Sequence, residues 1–471
     1  MLISAIAEPS CEKVLSEIEK SLPLADAVEV RLDFLNPDAL PKAGRIVSAC
    51  PLPVIFTFRK ASQGGKREIS EPERLDLLEQ LLTFHPAYCD LEADTDPAAI
   101  ERIAKKFPRI QLIGSHHDFD KTPADLVSLF NQMQNPHFSR IKIAARAQSS
   151  CDLLRLLLFA REFALKIPLC CISMGEFGKP SRVLGRVMGN AFDYSSNEED
   201  FELHRYNLKT LLETFHYRSL NRETRIYGLI GDPIEQSPGH LFHNERFRSH
   251  SRNAVYVKMR TSPKELPSLL LLIQKLPFSG LSVTIPLKEE ILPLLNQLDQ
   301  TAKQCGAANT VLIQDGKPFG LNTDAPGALN AIERHFKVKG KKVAILGAGG
   351  TARAIAWEAK QRGAEVLVFN RTAGRARDLG AEIGCLGFDL SELPAHFYDL
   401  LVNTTTPSPE GKIPIPEDCI RSGAAVMDVV YYPKETPLLK AAKQRGCACI
   451  YGKEMFVEQA LLQQAAWKLL Q

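Results

Sequence analysis

The sequence predicts an α/β protein: a (β/α)₈ barrel at the amino end, then a second α/β unit whose later part is a doubly wound nucleotide-binding domain. Three observations predict it. Short β-rich runs alternate with helical stretches eight times before residue 217, and a fresh strand and helix alternation starts at Ile226. The strand-like run Lys342 to Leu346 then enters Gly347-Ala348-Gly349-Gly350-Thr351-Ala352, followed by a helical stretch and the second strand EVLVF. Glycines there permit a tight turn and close backbone approach, and the following helix aims unpaired N–H groups at a pyrophosphate.

The eight runs are LISAIA, AVEVRLDF, PVIFTFR, YCDLEA, IQLIGSHH, RIKIAARA, LCCISMG and NAFDYSS. Between them, stretches such as EPERLDLLEQLLTFH and SCDLLRLLLFAREFALKI carry leucines at helical spacing, and several open on Pro or Asp-Pro. Eight alternations fit a closed barrel better than an open doubly wound sheet, which is the competing reading. After the fifth run, Thr122 is a candidate helix cap with Pro123 at the first helical position. Residues 215–225, FHYRSLNRETR, are polar and without periodicity, so a boundary is placed near Leu220. Beyond it come the strand IYGLI, the turn Gly231-Asp232-Pro233, a helix opening around His240, the strands AVYVKM, LSVTIP and TVLI, and a turn leading to Asn322-Thr323-Asp324. The resulting domains are 1–219, 224–326 (completed by 452–471) and 327–451. The closing segment FVEQALLQQAAWKLL has helical spacing and should fold back on the middle domain, bringing Gln459 to its cleft.

With 471 residues and a net charge of +3, the chain lacks the strongly basic balance of a nucleic-acid binder. Its eleven cysteines include no Cys-x-x-Cys spacing, which argues for reduced, mostly buried thiols rather than a zinc site or a redox pair. MLISAIAEPS does not have the regions of a signal peptide, and no apolar run approaches the ~18 residues of a membrane span. A cytoplasmic protein acting on small molecules is expected.

Glu29, Arg31, Arg59, Asp90, Glu92, His117 and Lys142 all lie within or at the carboxyl ends of predicted strands, the face on which barrel enzymes assemble their sites. Period-two alternation in Arg140-Ile141-Lys142-Ile143-Ala144 puts Lys142 opposite both isoleucines, toward a lumen. Desolvation and cationic neighbours would leave enough free amine there to attack a ketone and form an imine. His117 ends the fifth run, where an imidazole can remove a proton beside the imine carbon and then protonate a leaving hydroxyl. A metal held by His116 and His117 is the other reading, although no third ligand at suitable spacing declares itself. In the second half, Lys288 follows a strand and Pro286, and Asp324 closes Gly320-Leu321-Asn322-Thr323-Asp324. If they converge, the two can relay a proton to a ketone oxygen as hydride arrives at carbon. The second strand of the nucleotide domain ends in Asn370-Arg371-Thr372. An NAD enzyme normally places an acid there for the ribose 2′-hydroxyl, whereas arginine favours a 2′-phosphate and so NADP(H).

Through Glu29-x-Arg31-x-Asp33, Phe56-Thr57-Phe58-Arg59, Asp90-x-Glu92, His116-His117-Asp118-Phe119, Lys142, Met174-Gly175 and Ser181-Arg182, the first half resembles the type I 3-dehydroquinate dehydratases over nearly its whole length. The resemblance implies a TIM barrel in which Lys142 forms a Schiff base with the substrate ketone and His117 is the general acid/base. It also implies that Glu29 and Arg59 hold ring hydroxyls, with Arg31 beside them in the substrate set, and that Arg182 pairs with the carboxylate. Two departures stand out. Gln63-Gly64-Gly65 replaces a glutamate before Gly-Gly, which removes an acidic partner of the histidine. The run from Tyr194 to Asp200 replaces a Ser-Ala-Pro-Gly-Gln loop, which removes a carboxylate contact.

The second half resembles the shikimate dehydrogenases through Gly231-Asp232-Pro233, Ser237, His243-Asn244, Ser282-Val283-Thr284-Ile285-Pro286-Leu287-Lys288, Gly306-Ala307-Ala308-Asn309-Thr310 and Asn322-Thr323-Asp324. The glycine turn, Asn370-Arg371-Thr372, Asn403-Thr404-Thr405, Asp428-Val429-Val430-Tyr431, and Gly452 with Met455 and Gln459 continue the match. This resemblance implies Lys288 and Asp324 as the catalytic pair, with Ser237, Thr284, Asn309, Tyr431 and Gln459 as substrate contacts. It places Gly347, Ala348, Gly349, Gly350, Thr351, Ala352, Asn370, Arg371, Thr372 and Gly452 around NADP(H) in a Rossmann domain. Gly239 departs from the family, which commonly has a second serine there, and His240 is the candidate to help. Together the resemblances imply a bifunctional enzyme that dehydrates 3-dehydroquinate to 3-dehydroshikimate and reduces that ketone to shikimate with NADPH, on the route to chorismate. Two other readings stay open: an aldolase-like Schiff-base barrel fused to an NAD(P) quinate or shikimate dehydrogenase, and a non-catalytic regulator that binds NADP(H) and a metabolite.

Overall fold

The structure is a computed structural model that describes residues 1–199, 205–405, 411–430 and 432–468. Their contacts group into two compact units, Met1–Phe278 and Ser279–Gln471.

In the first unit eight strands share one sheet: β1 (Leu2–Ile6), β2 (Ala27–Arg31), β3 (Val54–Thr57), β4 (Tyr88–Glu92), β5 (Gln111–Asp118), β6 (Phe138–Arg146), β7 (Leu169–Met174) and β8 (Asp193–Ser195). All pair in parallel, in the order β7-β6-β5-β4-β3-β2-β1-β8. The pairing of β8 with β1 curls the sheet into the expected barrel. At the seam between β7 and β8 the Asn190 side chain stands in for a ladder. Its oxygen accepts from Cys171 N–H and its amide donates to Cys171 O, both at 3.1 Å, while Ala191 N–H reaches Leu169 O at 2.8 Å. Buried backbone groups at the seam are thereby satisfied, which a dry interior demands. Ile3, Ile55, Ile113, Ala144, Cys170, Ile172, Phe192 and Tyr194 form an apolar cluster inside the barrel. Ile141 and Ile143 are fully buried on the other face of β6, leaving Lys142 with Ala144 on the lumen side.

The surrounding helices begin where side chains meet free N–H groups. Ser70 and Glu73 form a capping box on Glu71–Leu82, Asp96 caps Pro97–Lys106, and Ser149 caps Ser150–Phe163. Each such cap contributes about 1 kcal/mol. The cap expected at Thr122 is not formed. Its hydroxyl donates to Arg146 O at 2.9 Å, and the helix starts at Leu126, with Asp125 accepting from Ser128 N–H. The Thr122 side chain is turned to a neighbouring strand's carbonyl, ahead of the helix start, and Asp125 supplies the cap instead.

The first unit closes with a parallel pair, β9 (Arg225–Gly231) and β10 (Ala254–Arg260), and the helices Gly239–Ser249 and Leu266–Ile273. These pack on the barrel. Ser150 Oγ donates to Arg260 O at 2.6 Å, Ser150 N–H donates to Glu265 Oε1 at 3.1 Å, and Arg260 pairs with Glu176 at 2.5 Å. Residues 225–278 therefore group with the barrel, although the chain leaves it near Leu220.

In the second unit β11 (Phe278–Val283) pairs antiparallel with β13 (Thr310–Gln314), β13 antiparallel with β14 (Lys317–Leu321), and β12 (Gln297–Leu298) parallel with β14. The sequence reading anticipates only a turn where β14 lies. The overlooked signal is Asp315-Gly316, whose φ values of 51° and 71° suit the two-residue hairpin turn that joins β13 to β14. A six-stranded parallel sheet follows: β15 (Lys342–Leu346), β16 (Glu365–Asn370), β17 (Leu386–Asp389), β18 (Leu400–Asn403), β19 (Ala425–Asp428) and β20 (Ala448–Tyr451), ordered β17-β16-β15-β18-β19-β20. The order reverses at β15 and β18, and that switch point opens a crevice at their carboxyl ends, where nucleotides bind in such sheets. The closing helix Gly452–Ala466 lies on the helix Asp324–Glu333. Gly327 permits this approach, since a Cβ there would sit 2.7 Å from Gln459 N. Among the described residues no helix is long and apolar enough to cross a membrane.

Candidate active sites

Inward side chains of β2 to β6 form one charged network. The register sets Glu92 beside Ser115 and Ser115 beside Lys142, so successive strands deliver these groups to one level. Lys142, 4 % exposed, donates from Nζ to Asp90 Oδ2 at 3.0 Å and to Glu29 Oε1 at 3.3 Å. Arg59 donates to Asp90 Oδ1 at 2.9 Å, Glu92 Oε1 at 3.0 Å and Ser115 Oγ at 2.6 Å. Ser115 donates in turn to Asp90 at 2.6 Å, and Thr57 to Glu29 at 2.8 Å. Burial works to raise the Asp90 carboxyl, but Arg59, Lys142 and the Ser115 hydroxyl outweigh it and hold the group down to about 2. Burial likewise opposes the Arg59 charge, yet Asp90, Glu92 and Glu29 leave its pKa above the ordinary value. The cationic neighbours expected around Lys142 are not its hydrogen-bond partners. Its partners are carboxylates, because inward positions of β2 and β4 carry Glu29 and Asp90, and Arg59 spends its fork on Asp90 and Glu92.

His117 stands at the end of β5. Burial first, then Arg59, Lys142 and Arg31, push its imidazole well below the usual histidine value, which favours the neutral ring. Its Nδ1 is buried with no hydrogen-bond partner among the described residues. Gln63 holds the backbone here: Oε1 accepts from His117 N–H at 2.8 Å, and Nε2 donates to Asp94 at 3.3 Å. The residue in the missing glutamate's place thus steadies the strand end. Arg31 grips Asp33 with two bonds of 2.9 and 2.7 Å and reaches Gly64 O at 3.1 Å. Arg182, buried in the first turn of Ser181–Met188, donates to Tyr194 O at 3.3 Å. In the replacement loop Asn197 bonds Glu17, Lys179 pairs with Glu199 at 3.4 Å, and Asp200 lies outside the described residues. Sequence reasoning gave no role to Thr57 or Ser115, although each lies two residues before a singled-out group, Arg59 and His117, and so shares its face.

Farther along the first unit, Ser237 Oγ accepts from Gly239 N–H at 3.3 Å. A Cβ on Gly239 would lie 3.2 Å from Tyr256 Oη, so the position vacated by a serine adjoins a phenol. His240 stacks on Phe215 at 6.2 Å, and burial, followed by Lys258, pushes it down to about 4.

In the second unit Lys288 Nζ donates to Asp324 Oδ2 at 2.6 Å. Asn309 donates to Thr323 Oγ1 at 2.9 Å and to Gln459 Oε1 at 3.5 Å, so the closing helix brings Gln459 to Asn309, just ahead of β13. Ser282 Oγ donates to Gln463 Oε1 at 2.8 Å, pinning the same helix. Thr284 is half-buried and its carbonyl accepts from Leu287 N–H at 2.9 Å. Tyr431 lies outside the described residues.

The glycine turn is shaped for a ligand. Gly347 takes φ +110°, and a Cβ there would meet Thr404 Oγ1 at 2.6 Å, so no larger residue fits. Nothing lies within 4 Å of a Cβ on Gly349, and the helix Gly350–Gln361, which carries Thr351 and Ala352, has no side-chain cap on its first N–H groups. Beside Gly347 opens a cavity of about 570 Å³ lined also by Asn370, the exposed Arg371, Asn403, Thr405 and Asp428. Asn370 donates to Thr372 O at 3.1 Å, which shapes the lip. A Cβ on Gly452 would lie 2.5 Å from Val430 O, and one on Gly350 would lie 3.5 Å from a carboxylate oxygen of Glu289. The segment carrying Lys288 therefore faces the turn. A dinucleotide fits this set of residues.

A barrel with a buried lysine among carboxylates, continued by a unit with a lysine–aspartate pair beside a dinucleotide cradle, defines a two-centre enzyme combining lyase and oxidoreductase architectures. Residues 4–221 match type I 3-dehydroquinase, 229–311 the shikimate dehydrogenase substrate binding domain, and 330–410 shikimate / quinate 5-dehydrogenase. The chain is 33% identical, over 98% of its length and 80% of the relative's, to the chloroplastic bifunctional 3-dehydroquinate dehydratase/shikimate dehydrogenase of Arabidopsis thaliana. It is also 33% identical to the shikimate biosynthesis protein AroDE of Chlamydia pneumoniae, over 99% of this chain and 95% of that one. The crystal structure of shikimate 5-dehydrogenase from Thermus thermophilus in complex with NADP(H) and shikimate matches 52% of this chain and 94% of its own, at 33% identity and a TM-score of 0.50. The chain belongs to the bifunctional 3-dehydroquinate dehydratase/shikimate dehydrogenase family.

Proposed function

We propose that the chain converts 3-dehydroquinate to 3-dehydroshikimate through an imine on Lys142 and then reduces that product to shikimate with NADPH. The observation that carries the first step is the seat of Lys142, a buried amine held on two carboxylates beside a neutral imidazole. Nζ adds to the ketone carbon and the carbonyl oxygen leaves as water, giving an iminium. His117 removes a proton from the adjacent carbon, and the freed pair moves into the iminium as an enamine. The pair then returns, expelling the ring hydroxyl with the proton that His117 holds, and hydrolysis releases Lys142. Glu29 and Arg59 are assigned to the ring hydroxyls, Arg31 to the substrate set beside them, and Arg182 to the carboxylate.

For the second reaction, bound NADPH supplies a hydride to the ketone carbon. Lys288 delivers a proton to the ketone oxygen, and Asp324, 2.6 Å away, orients the ammonium and restores its proton. Thr284, Asn309, Tyr431 and Gln459 are assigned as substrate contacts. The glycine turn, Asn370, Arg371, Thr372 and Gly452 are assigned to the dinucleotide, with Arg371 on the 2′-phosphate. The working domains are 1–219, 224–326 with 452–471, and 327–451. The cytoplasm suits the eleven free cysteines.

The test gives the purified chain 3-dehydroquinate and NADPH together. Absorbance loss is expected in the wild type. In Lys142→Ala it should be absent with 3-dehydroquinate and normal with 3-dehydroshikimate. A wild type inactive on both ketones would defeat the reading.

A further inference from the structure

The proposed dehydration gives no part to the Tyr194 hydroxyl in the barrel lumen. Tyr194 on β8 is 3 % exposed and packs with Ala144, Cys170 and Ile172, yet its hydroxyl is buried with no hydrogen-bond partner among the described residues. A buried hydroxyl left bare costs stability, and phenylalanine would fill the same volume without that cost. Packing therefore does not account for a tyrosine. Its surroundings point to the reaction. The Lys142 ammonium lies 4.0 Å from the centroid of its ring. After burial, Glu29 and Asp90, the carboxylates that hold Lys142, are the charges that push its phenol well up. Its main-chain carbonyl accepts from Arg182 at 3.3 Å.

Imine chemistry creates a shortage of donors at this spot. Free Lys142 has three N–H groups, two of them spent on Asp90 Oδ2 and Glu29 Oε1. Condensation forms the C–N bond, releases the ketone oxygen as water and leaves an iminium with one N–H. One of the two carboxylates then loses its lysine hydrogen bond inside a closed, low-dielectric lumen, where an unpaired charge is costly. Glu29 retains Thr57, and Asp90 retains Arg59 and Ser115, both on its other oxygen.

We propose that Tyr194 is a further residue of the dehydratase centre, whose hydroxyl is the reserve donor to the carboxylate that Lys142 releases and whose ring face supports the cation throughout. The proposal rests on the Lys142 imine. The ring term is favourable for ammonium and iminium alike, so the hydroxyl is what distinguishes the two states.

Tyr194→Phe in the full chain tests it. Dehydratase kcat is expected to fall about 10-fold to 100-fold, the usual consequence of losing a hydrogen bond to a charged group. KM should stay within about threefold, as for an interaction made after binding. The melting temperature should hold or rise, because the deleted hydroxyl had no partner, and reduction of 3-dehydroshikimate should be unchanged. Borohydride with 3-dehydroquinate should still add mass at Lys142, more slowly than in the wild type. Wild-type kcat in Tyr194→Phe would overturn the proposal, as would a rate loss that tracks a fall in melting temperature. A wild type that gains no mass at Lys142 would instead overturn the imine, and this proposal with it.

Discussion

Both halves of the chain set a lysine against an aspartate, but in opposite surroundings. Lys142 is 4 % exposed and shared between two carboxylates, which Arg59, Ser115 and Thr57 hold in turn. The Lys288 side chain is 30% exposed and meets Asp324 across 2.6 Å. A network of fixed partners in a buried lumen holds an amine in one orientation, and it fails as a unit when a member is removed. A partly exposed pair is within reach of solvent protons. The first arrangement suits a nucleophile and the second suits a proton donor. The same residue types serve both, and burial assigns the task.

The largest effects should come from breaking the two lysine–aspartate pairs. On the proposed imine, Lys142→Met removes the atom that would bond to the substrate, and dehydratase kcat should fall by roughly 10⁴-fold to 10⁶-fold, as for other covalent nucleophiles. Reduction of 3-dehydroshikimate should be untouched. Dehydratase turnover within tenfold of wild type, measured by product absorbance, would break the contrast. Asp324→Asn leaves Lys288 in place without its carboxylate, and reductase kcat should drop by about 10²-fold to 10⁴-fold, the range of general acid–base assistance. A dehydratase rate altered in parallel would mean the two centres are not separable.

Arg371→Asp sharpens the open side of the comparison, where charges wait for a ligand. Replacing the exposed cation on the cavity lip should raise KM for NADPH by about 10-fold to 100-fold and narrow the preference over NADH, read from initial rates with each nucleotide. Equal rates in mutant and wild type would remove Arg371 from the cofactor set.

The gentlest test probes the closed side and leaves the catalytic groups alone. Two buried barrel aspartates shift in opposite directions. Asp90 lies beside two cations and goes down, whereas burial pushes Asp193 up to about 6 against hydrogen bonds from Asn190 and Tyr217. A carboxyl whose folded value exceeds its unfolded value of about 3.9 favours the fold most fully below that pH, and the contribution is lost as pH rises through about 6. Asp193→Asn cannot titrate. Relative to this variant, wild-type stability should decline by up to about 3 kcal/mol between pH 4 and pH 7, read from urea midpoints of the barrel. A difference that is flat with pH would show that Asp193 stays ionised.

The barrel was legible because each of its strands announces itself within a few residues: the alternation around Lys142 put that side chain in the lumen before any partner was known. The glycine turn was legible for the same reason, since strand, turn and helix signals follow one another directly. Asp315-Gly316 carried an equally local hairpin signal and was passed over. Thr122 was different in kind. Its capping competence is local, but the carbonyl that claims it belongs to Arg146, and only the pairing of β5 with β6 brings the two together.

By itself the sequence determined where strands begin, which residues alternate inward, and where a nucleotide meets a helix end, because period, turn chemistry and glycine content act over a few residues. The tertiary structure decided the partners: Asp90 and Glu29 on Lys142, Asn190 across the β7–β8 seam, Gln63 on the His117 backbone, and the Tyr194 ring beneath the Lys142 ammonium, its hydroxyl without a partner among the described residues. Those contacts join residues far apart in the chain. Closing the barrel sets their distances and excludes the water that would otherwise screen and satisfy them.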